Sequence, residues 1–270
     1  MSLPFDLDQL CELTRAAGRA AMPWWQHNPD IITKADNSPV TAADLAAHQV
    51  IVEGLRALTP EIPVLSEEDA EVSLAERLHW QRFWLVDPLD GTKEFIAGTD
   101  EFTVNIALIE QGQVRFGTVG VPARDTLYWG GHDYGSWSQQ GSAAAMAIQA
   151  RLPEATLRLV ASRRHTSPEQ EALLQRLQHQ HHVQLTSIGS SLKFCLVAEG
   201  AADVYPRFAP TSQWDTAAAQ AVLEGAGGHV LGLDGQRFAY PHRESWLNPF
   251  FIATGQTDPD LLRLLLGQGD

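Results

Sequence analysis

The sequence predicts a layered α/β fold with an α+β half at the N-terminus, an α/β half at the C-terminus, and its chemistry between them. Three observations lead there. From Leu157 onward, strand-like and helix-like segments alternate. Before that, paired amphipathic helices precede strands that alternate like hairpins. Carboxylates also collect where strands end and helices begin, the places where open α/β sheets bind ligands. At 270 residues the chain is one large or two small domains. Folding it should bury about three quarters of the unfolded surface.

The elements follow in order. Asp6–Gln26 reads as an amphipathic helix, with Leu7, Leu10, Leu13, Ala17, Ala21 and Trp24 at helical spacing. The turn-rich Lys34–Asp44 leads to a second helix with Thr41 and Asp44 spaced as a capping box. Phe83–Val86 is a strand that should stop at Asp87-Pro88. Thr103–Ile109 and Val114–Val121 form a hairpin about Gln111-Gly112. In the second half, strands at 157–161, 183–187, 202–205 and 229–233 alternate with helices at 168–177, 190–199 and 215–224. Gly227-Gly228 ends the last of these helices, and 259–266 is a terminal helix. The two rhythms change over residues 147–154, so the expected division is 1–150, an N-terminal α+β half, and 151–270, a C-terminal α/β half.

Composition removes several function classes. Hydrophobic residues make up 44%, which excludes a disordered chain. Nineteen Lys and Arg face 33 Asp and Glu, a formal charge of −14. So acidic a chain is unsuited to nucleic-acid polymers or a polybasic membrane anchor. Cys11 and Cys195 form neither a disulfide scaffold nor a CxxC pair, and read as buried hydrophobes in a reducing cytosol. The N-terminus lacks the pattern of a signal peptide, and no apolar run approaches the 18 residues of a spanning helix.

Three acidic strings stand out: Ser66-Glu67-Glu68-Asp69, Asp87-Pro88-Leu89-Asp90-Gly91-Thr92, and Trp214-Asp215-Thr216. Taken singly, Glu67–Asp69 reads as a solvated loop, Asp215 as a helix N-cap and Asp44 as the capping-box acid. The D-P-L-D-G-T string reads differently, because two acids at a strand end followed by Gly and Thr suit a hard divalent cation and a phosphate. Haloacid-dehalogenase phosphatases carry D-x-D-G-T at a first strand; here the spacing is one residue longer and the string lies near position 90. Gln178–His182 holds three histidines without Cys or carboxylates nearby and reads as a polar loop. The eight tryptophans read as core and interface anchors.

Trp84–Phe95 (WLVDPLDGTKEF) and Gln213–Gly228 (QWDTAAAQAVLEGAGG) resemble the two signatures of the inositol monophosphatase superfamily of Mg²⁺-dependent, Li⁺-sensitive phosphatases. The resemblance continues through Lys34–Asp44, Val64–Asp69, Phe102–Ile109 and Ser187–Gly200, most of the chain. Within the superfamily these strings most resemble the bacterial 3′(2′),5′-bisphosphate nucleotidases of the CysQ type. That resemblance implies the α-β-α-β-α sandwich of the sugar-phosphatases. It also implies hydrolysis of the 3′-phosphate of adenosine 3′,5′-bisphosphate (PAP) to AMP, with action on its sulfated form, PAPS.

The resemblance implies site residues as well. Glu67, Asp87 and the Leu89 carbonyl would hold one Mg²⁺. Asp87, Asp90 and Asp215 would hold a second, and a third, weaker ion would sit by Glu67. Thr92, hydrogen-bonded to Asp44, would orient the attacking water, with Glu68 behind the metals. Gly91, Thr92 and Asp215 would also touch substrate, while His165, Ser190, Lys193 and Arg207 would face a second phosphate and the base. Arg164 stands where the family often has Ser.

An inositol-phosphate or sugar-phosphate phosphatase is the nearest alternative, and a non-catalytic nucleotide or metal sensor the alternative of another class. The expected location is the cytoplasm, with peripheral attachment at the inner membrane and a homodimer left open.

Overall fold

A computed structural model describes residues 3–26, 31–33, 39–162 and 167–267. α1 (Leu7–Ala21) starts at an Asp6 cap that accepts the Gln9 N–H at 2.9 Å. It ends before the predicted Gln26 because Pro23 opens a 3-10 turn, Met22–Trp24. β1 (Ile31–Thr33) and β2 (Pro39–Thr41) pair antiparallel and lead into α2 (Ala42–Leu58), which has the predicted capping box.

Seven strands form the first sheet: β3 (Val64–Ser66), β4 (Arg82–Asp90), β5 (Thr103–Glu110), β6 (Gln113–Val121), β7 (Thr126–Gly131), β8 (Gly135–Gln140) and β9 (Met146–Ala147). They lie in sequence order, antiparallel except for β3 with β4. Short helices α3 (Leu74–Arg77) and α4 (Thr92–Ile96) flank β4. The β5–β6 turn has φ of 52° at Gln111 and 73° at Gly112, the two positive angles of a type I′ hairpin.

Five strands form the second sheet, in the order β11 (His182–Ser187), β10 (Thr156–Ala161), β12 (Val204–Arg207), β14 (Phe251–Thr254), β13 (His229–Gly232). Between and after them run α5 (Pro168–Gln178), α6 (Leu192–Ala198), α7 (Ala217–Gly225) and α8 (Pro259–Leu266). β12 sits two residues later than predicted, and α6 is shorter at both ends.

The apolar clusters give the layer order. α1 and α2 cover one face of the first sheet through Leu10, Ile51 and Leu55 against Trp84, Ile106 and Phe116. α6 and α7 fill the space between the sheets, in a cluster that takes Leu85 and Val119 from one sheet and Tyr205 and Phe251 from the other. α5 and α8 cap the outer face of the second sheet. The result is the expected α-β-α-β-α sandwich. α7 comes close because its inner face is Ala217, Ala218 and Ala221, and because β6 offers Gly117. A Cβ at 117 would stand 2.3 Å from the Ala218 carbonyl oxygen.

Candidate active site

β4 does not stop at Asp87. It continues through Pro88 to Asp90, with a register shift against β5 between Asp87 and Asp90. Pairing with β3 ends at Ser66 opposite Val86, so Pro88 lies at an irregularity where its missing N–H breaks no ladder. The shift puts both carboxylates at the same sheet end. Gly91, at φ 90°, then turns the chain into α4; a Cβ there would press within 3.2 Å of the Glu101 carbonyl.

Carboxylate oxygens of Glu67, Asp87 and Asp215 all lie within 4.8 Å of one another. They come from three elements: the end of β3, the end of β4 and the turn into α7. Asp87 is 1% exposed, and its Oδ1 accepts the Leu89 N–H at 3.0 Å. Asp215 does not cap α7 as its position suggested. Its Oδ2 accepts the Ser212 N–H at 2.8 Å, closing a turn that aims the carboxylate at Asp87. Asp90 stands beside this trio, its Oδ2 held by the Ser191 N–H at 2.5 Å.

Like charge confined in a buried space disfavours ionisation. Burial pushes Asp87 well up, and the charges of Glu67, Asp90 and Asp215 add to it. Asp215 is raised by burial, then by Asp90 and Glu67. Burial lifts Asp90 to about 6, with Lys193 and the Ser191 N–H opposing the rise. Oxygen-only donors this close, with Asp87, Asp90 and Asp215 resisting ionisation, fit a hard divalent cation.

Asp44 does two jobs with two oxygens. Oδ2 accepts the Thr41 N–H at 2.8 Å and the Thr41 hydroxyl at 2.6 Å, completing the capping box. Oδ1 accepts the Thr92 hydroxyl at 3.3 Å, and that hydroxyl also lies 3.3 Å from the Leu89 carbonyl. Burial raises the Asp44 pKa against the Thr41 bonds. Glu68 follows Glu67 in the turn after β3.

A cavity of about 170 Å³ adjoins the carboxylates, with Asp90, Asp215, Gly91, Ser190, Lys193 and Arg207 in its wall. The predicted second-phosphate side is therefore brought together, apart from His165 and Arg164, which lie outside the described residues. Lys193 lies in that wall, yet most of its side chain is enclosed. It is 3% exposed and donates to the carbonyls of Ile188 at 3.2 Å and Ser190 at 2.5 Å. Burial lowers it to about 8 against the pull of Asp90. Arg207 donates to the carbonyls of Ala209 and Pro210. Ser190 takes φ 49°, and its neighbours are bound to the first sheet and the loop before β5: Ser191 N–H to Asp90 at the end of β4, and Gly189 N–H to Glu101 at 2.7 Å. Sequence reasoning missed Ser191 and Glu101, because a backbone amide does the work at 191 and residue type carries no signal of it.

The model of the Inositol monophosphatase family matches residues 6–265. The 3′(2′),5′-bisphosphate nucleotidase CysQ of Escherichia coli K12 is 52% identical over 248 residues, 91% of this chain and 98% of that protein. The same-named protein of Salmonella typhimurium is 52% identical over 251 residues, 92% and 99% of the two chains. Among solved structures, CysQ from Bacteroides thetaiotaomicron, a bacterial member of the inositol monophosphatase family, is 37% identical, with a TM-score of 0.81 over 95% of this chain and 100% of that one. The IMPase of Thermotoga maritima shares the fold at 23% identity, with a TM-score of 0.77 over 97% and 96%. With a sandwich of this layer order, and a family match that leaves out only the chain's extremities, this chain belongs to the inositol monophosphatase family.

Proposed function

We propose that this chain is a divalent-metal-dependent phosphatase that removes the 3′-phosphate of PAP to give AMP and phosphate, and that it also accepts PAPS. The observation that carries the reading is the convergence of Glu67, Asp87 and Asp215 within 4.8 Å, beside a cavity whose wall also holds Lys193 and Arg207. Identity of 52% to CysQ nucleotidases over almost their whole length supports the substrate.

In this reading the metal is Mg²⁺, two ions with a weaker third. Glu67, Asp87, Asp215, Asp90 and the Leu89 carbonyl hold them, with Glu68 behind Glu67. Bound divalent cations supply Lewis acidity, which lowers the pKa of coordinated water and offsets charge on the leaving oxygen. The rest is positioning. The Thr92 hydroxyl donates its hydrogen bond to Asp44 and leaves its lone pairs to accept one from the attacking water. Gly91, having no Cβ, leaves room for a phosphate beside α4. Lys193 keeps one of three ammonium donors beyond those on Ile188 and Ser190, and Arg207 keeps donors beyond those on Ala209 and Pro210. These, with Ser190 and His165, recognise the second phosphate and the nucleoside, which a monophosphate would not require. Residues 1–150 then supply the acids of the first sheet, and residues 151–270 complete the site with Asp215 and the nucleotide side.

Among the described residues no helix is long and apolar enough to cross a membrane. A small anionic substrate reaching the site from the cytoplasm is consistent with that. The test is phosphate release from PAP against inositol 1-phosphate in Mg²⁺, using purified protein. Preference for PAP by an order of magnitude or more in kcat/KM is expected. Preference for the inositol ester overturns the assignment.

A further inference from the structure

Asp215 reaches the acidic cluster from a turn, and a side chain far along the chain holds that turn. Asn248 Nδ2 donates to the Ser212 carbonyl at 2.6 Å and to the Thr216 hydroxyl at 3.0 Å, with Thr211 Oγ1 at 3.2 Å. Ser212 is the residue whose N–H grips the Asp215 carboxylate, and whose carbonyl also accepts the Asp215 N–H at 3.2 Å. Backbone bonds fix the same two segments together: Asn248 N–H to the Thr211 carbonyl at 2.7 Å and Gln213 N–H to the Trp246 carbonyl at 2.9 Å.

The clamp has a buried support. The Tyr240 hydroxyl lies 3.1 Å from Thr216 Oγ1 and 2.7 Å from Gln220 Oε1. Gln220 in turn donates to Glu224 at 2.9 Å, and Glu224 is held by Arg237. Thr216, Gln220, Tyr240, Glu224 and Asn248 are all buried. A satisfied polar chain in a low-dielectric interior fixes one geometry, because each member would lose its partner in any other.

We propose that Asn248 is a positioning residue for the reaction: its amide fixes the Ser212–Asp215 turn and so sets where the Asp215 carboxylate stands. The proposal rests on Asp215 being a metal ligand. An amide is required because the Ser212 carbonyl, the shortest of the three partners of Nδ2, can only accept. An ionised Asp of the same shape would turn an oxygen toward that carbonyl oxygen.

The probe is Mn²⁺ alone, titrated calorimetrically into purified full-length protein well below its melting temperature. Partners that orient metal ligands are worth about 10- to 100-fold in metal affinity. Asn248→Asp should therefore raise the Mn²⁺ Kd about tenfold or more. Saturating metal should restore most of kcat and leave the substrate KM near its original value. A merely structural loss would lower the melting temperature and leave the Kd of the folded protein unchanged. Asp215→Asn separates the two claims. An unchanged Kd there overturns the ligand reading. A raised Kd there with an unchanged Kd in Asn248→Asp overturns the positioning role. Should Asn248→Asp fail to fold, Tyr240→Phe removes only the supporting hydroxyl. A weaker Kd then upholds the proposal, and an unchanged one overturns it.

Discussion

The Thr92 hydroxyl donates to Asp44 Oδ1 across 3.3 Å, joining the first turn of α4 to the first turn of α2. The other Asp44 oxygen is committed to Thr41, so the acid cannot turn away from Thr92 without breaking a buried capping box.

Thr92→Ala should therefore lower kcat by about a hundredfold or more, the usual worth of a group acting on a proton in flight. KM for PAP should barely move, and Thr92→Ser should restore most of the rate. Steady-state kinetics at saturating Mg²⁺ decide it. An unchanged kcat removes Thr92 from the mechanism.

Asp87→Asn keeps the oxygen that accepts the Leu89 N–H and removes one buried charge from the trio. The chelator-treated variant should melt higher than the chelator-treated parent, by roughly 2–4 °C for each kcal/mol of repulsion relieved. It should also lose turnover, together with the melting-temperature gain that Mg²⁺ gives the parent. Calorimetry with and without Mg²⁺ checks both halves. A retained gain means that Asp87 is not a ligand.

The pH dependence has a definite sign. Burial raises Asp90 from 3.8 to about 6 without metal. A carboxyl raised on folding contributes stability that is complete below its unfolded pKa and is lost as pH rises through the folded one. For Asp90 that loss runs from about pH 4 to pH 6, and Asp87 and Asp215, also raised, act in the same direction. Cation binding needs the ionised form, so its affinity rises over the same interval. The stabilisation by Mg²⁺ should therefore be larger at pH 7.5 than at pH 5. Equal gains at the two pH values would contradict the assignment of these acids to the metal.

Gly117→Ala should destabilise the protein by about 1–3 kcal/mol or more, since the new methyl meets the α7 backbone at 2.3 Å rather than a side chain able to turn aside. Thermal unfolding measures it. The same change should weaken Mg²⁺ binding, because α7 follows directly from Asp215. A neutral substitution would mean that α7 is free to shift.

Much of this was legible because the signals are local. The capping box needs only Thr41 and Asp44 three residues apart, and the I′ turn only Gln111-Gly112 between apolar runs. The D-P-L-D-G-T string places two acids on one strand end whatever lies around it. What was not legible depends on partners distant in sequence. β4 passes through Pro88 because β3 has already ended there. Asp215 abandons the capping role because Ser212 offers an N–H nearer the other acids. Lys193 is buried because α6 lies between two sheets, which its own neighbours do not reveal. Asn248 gives no sign at all, since the partners of its amide nitrogen are a carbonyl and two hydroxyls more than thirty positions away.

The middle layer of the sandwich touches both sheets, and one of the clustered acids arrives with it while two arrive with the first sheet. Asp87 and Asp215 are 128 positions apart (215 − 87), so their carboxylates form a seam where separate tiers of the molecule meet. Left uncompensated, that seam is a wedge of like charge driven between tiers. Compensated, it becomes a clasp closing a very long loop. The same few atoms that would do the chemistry thus also add to, or subtract from, the hold that the apolar clusters give the layers.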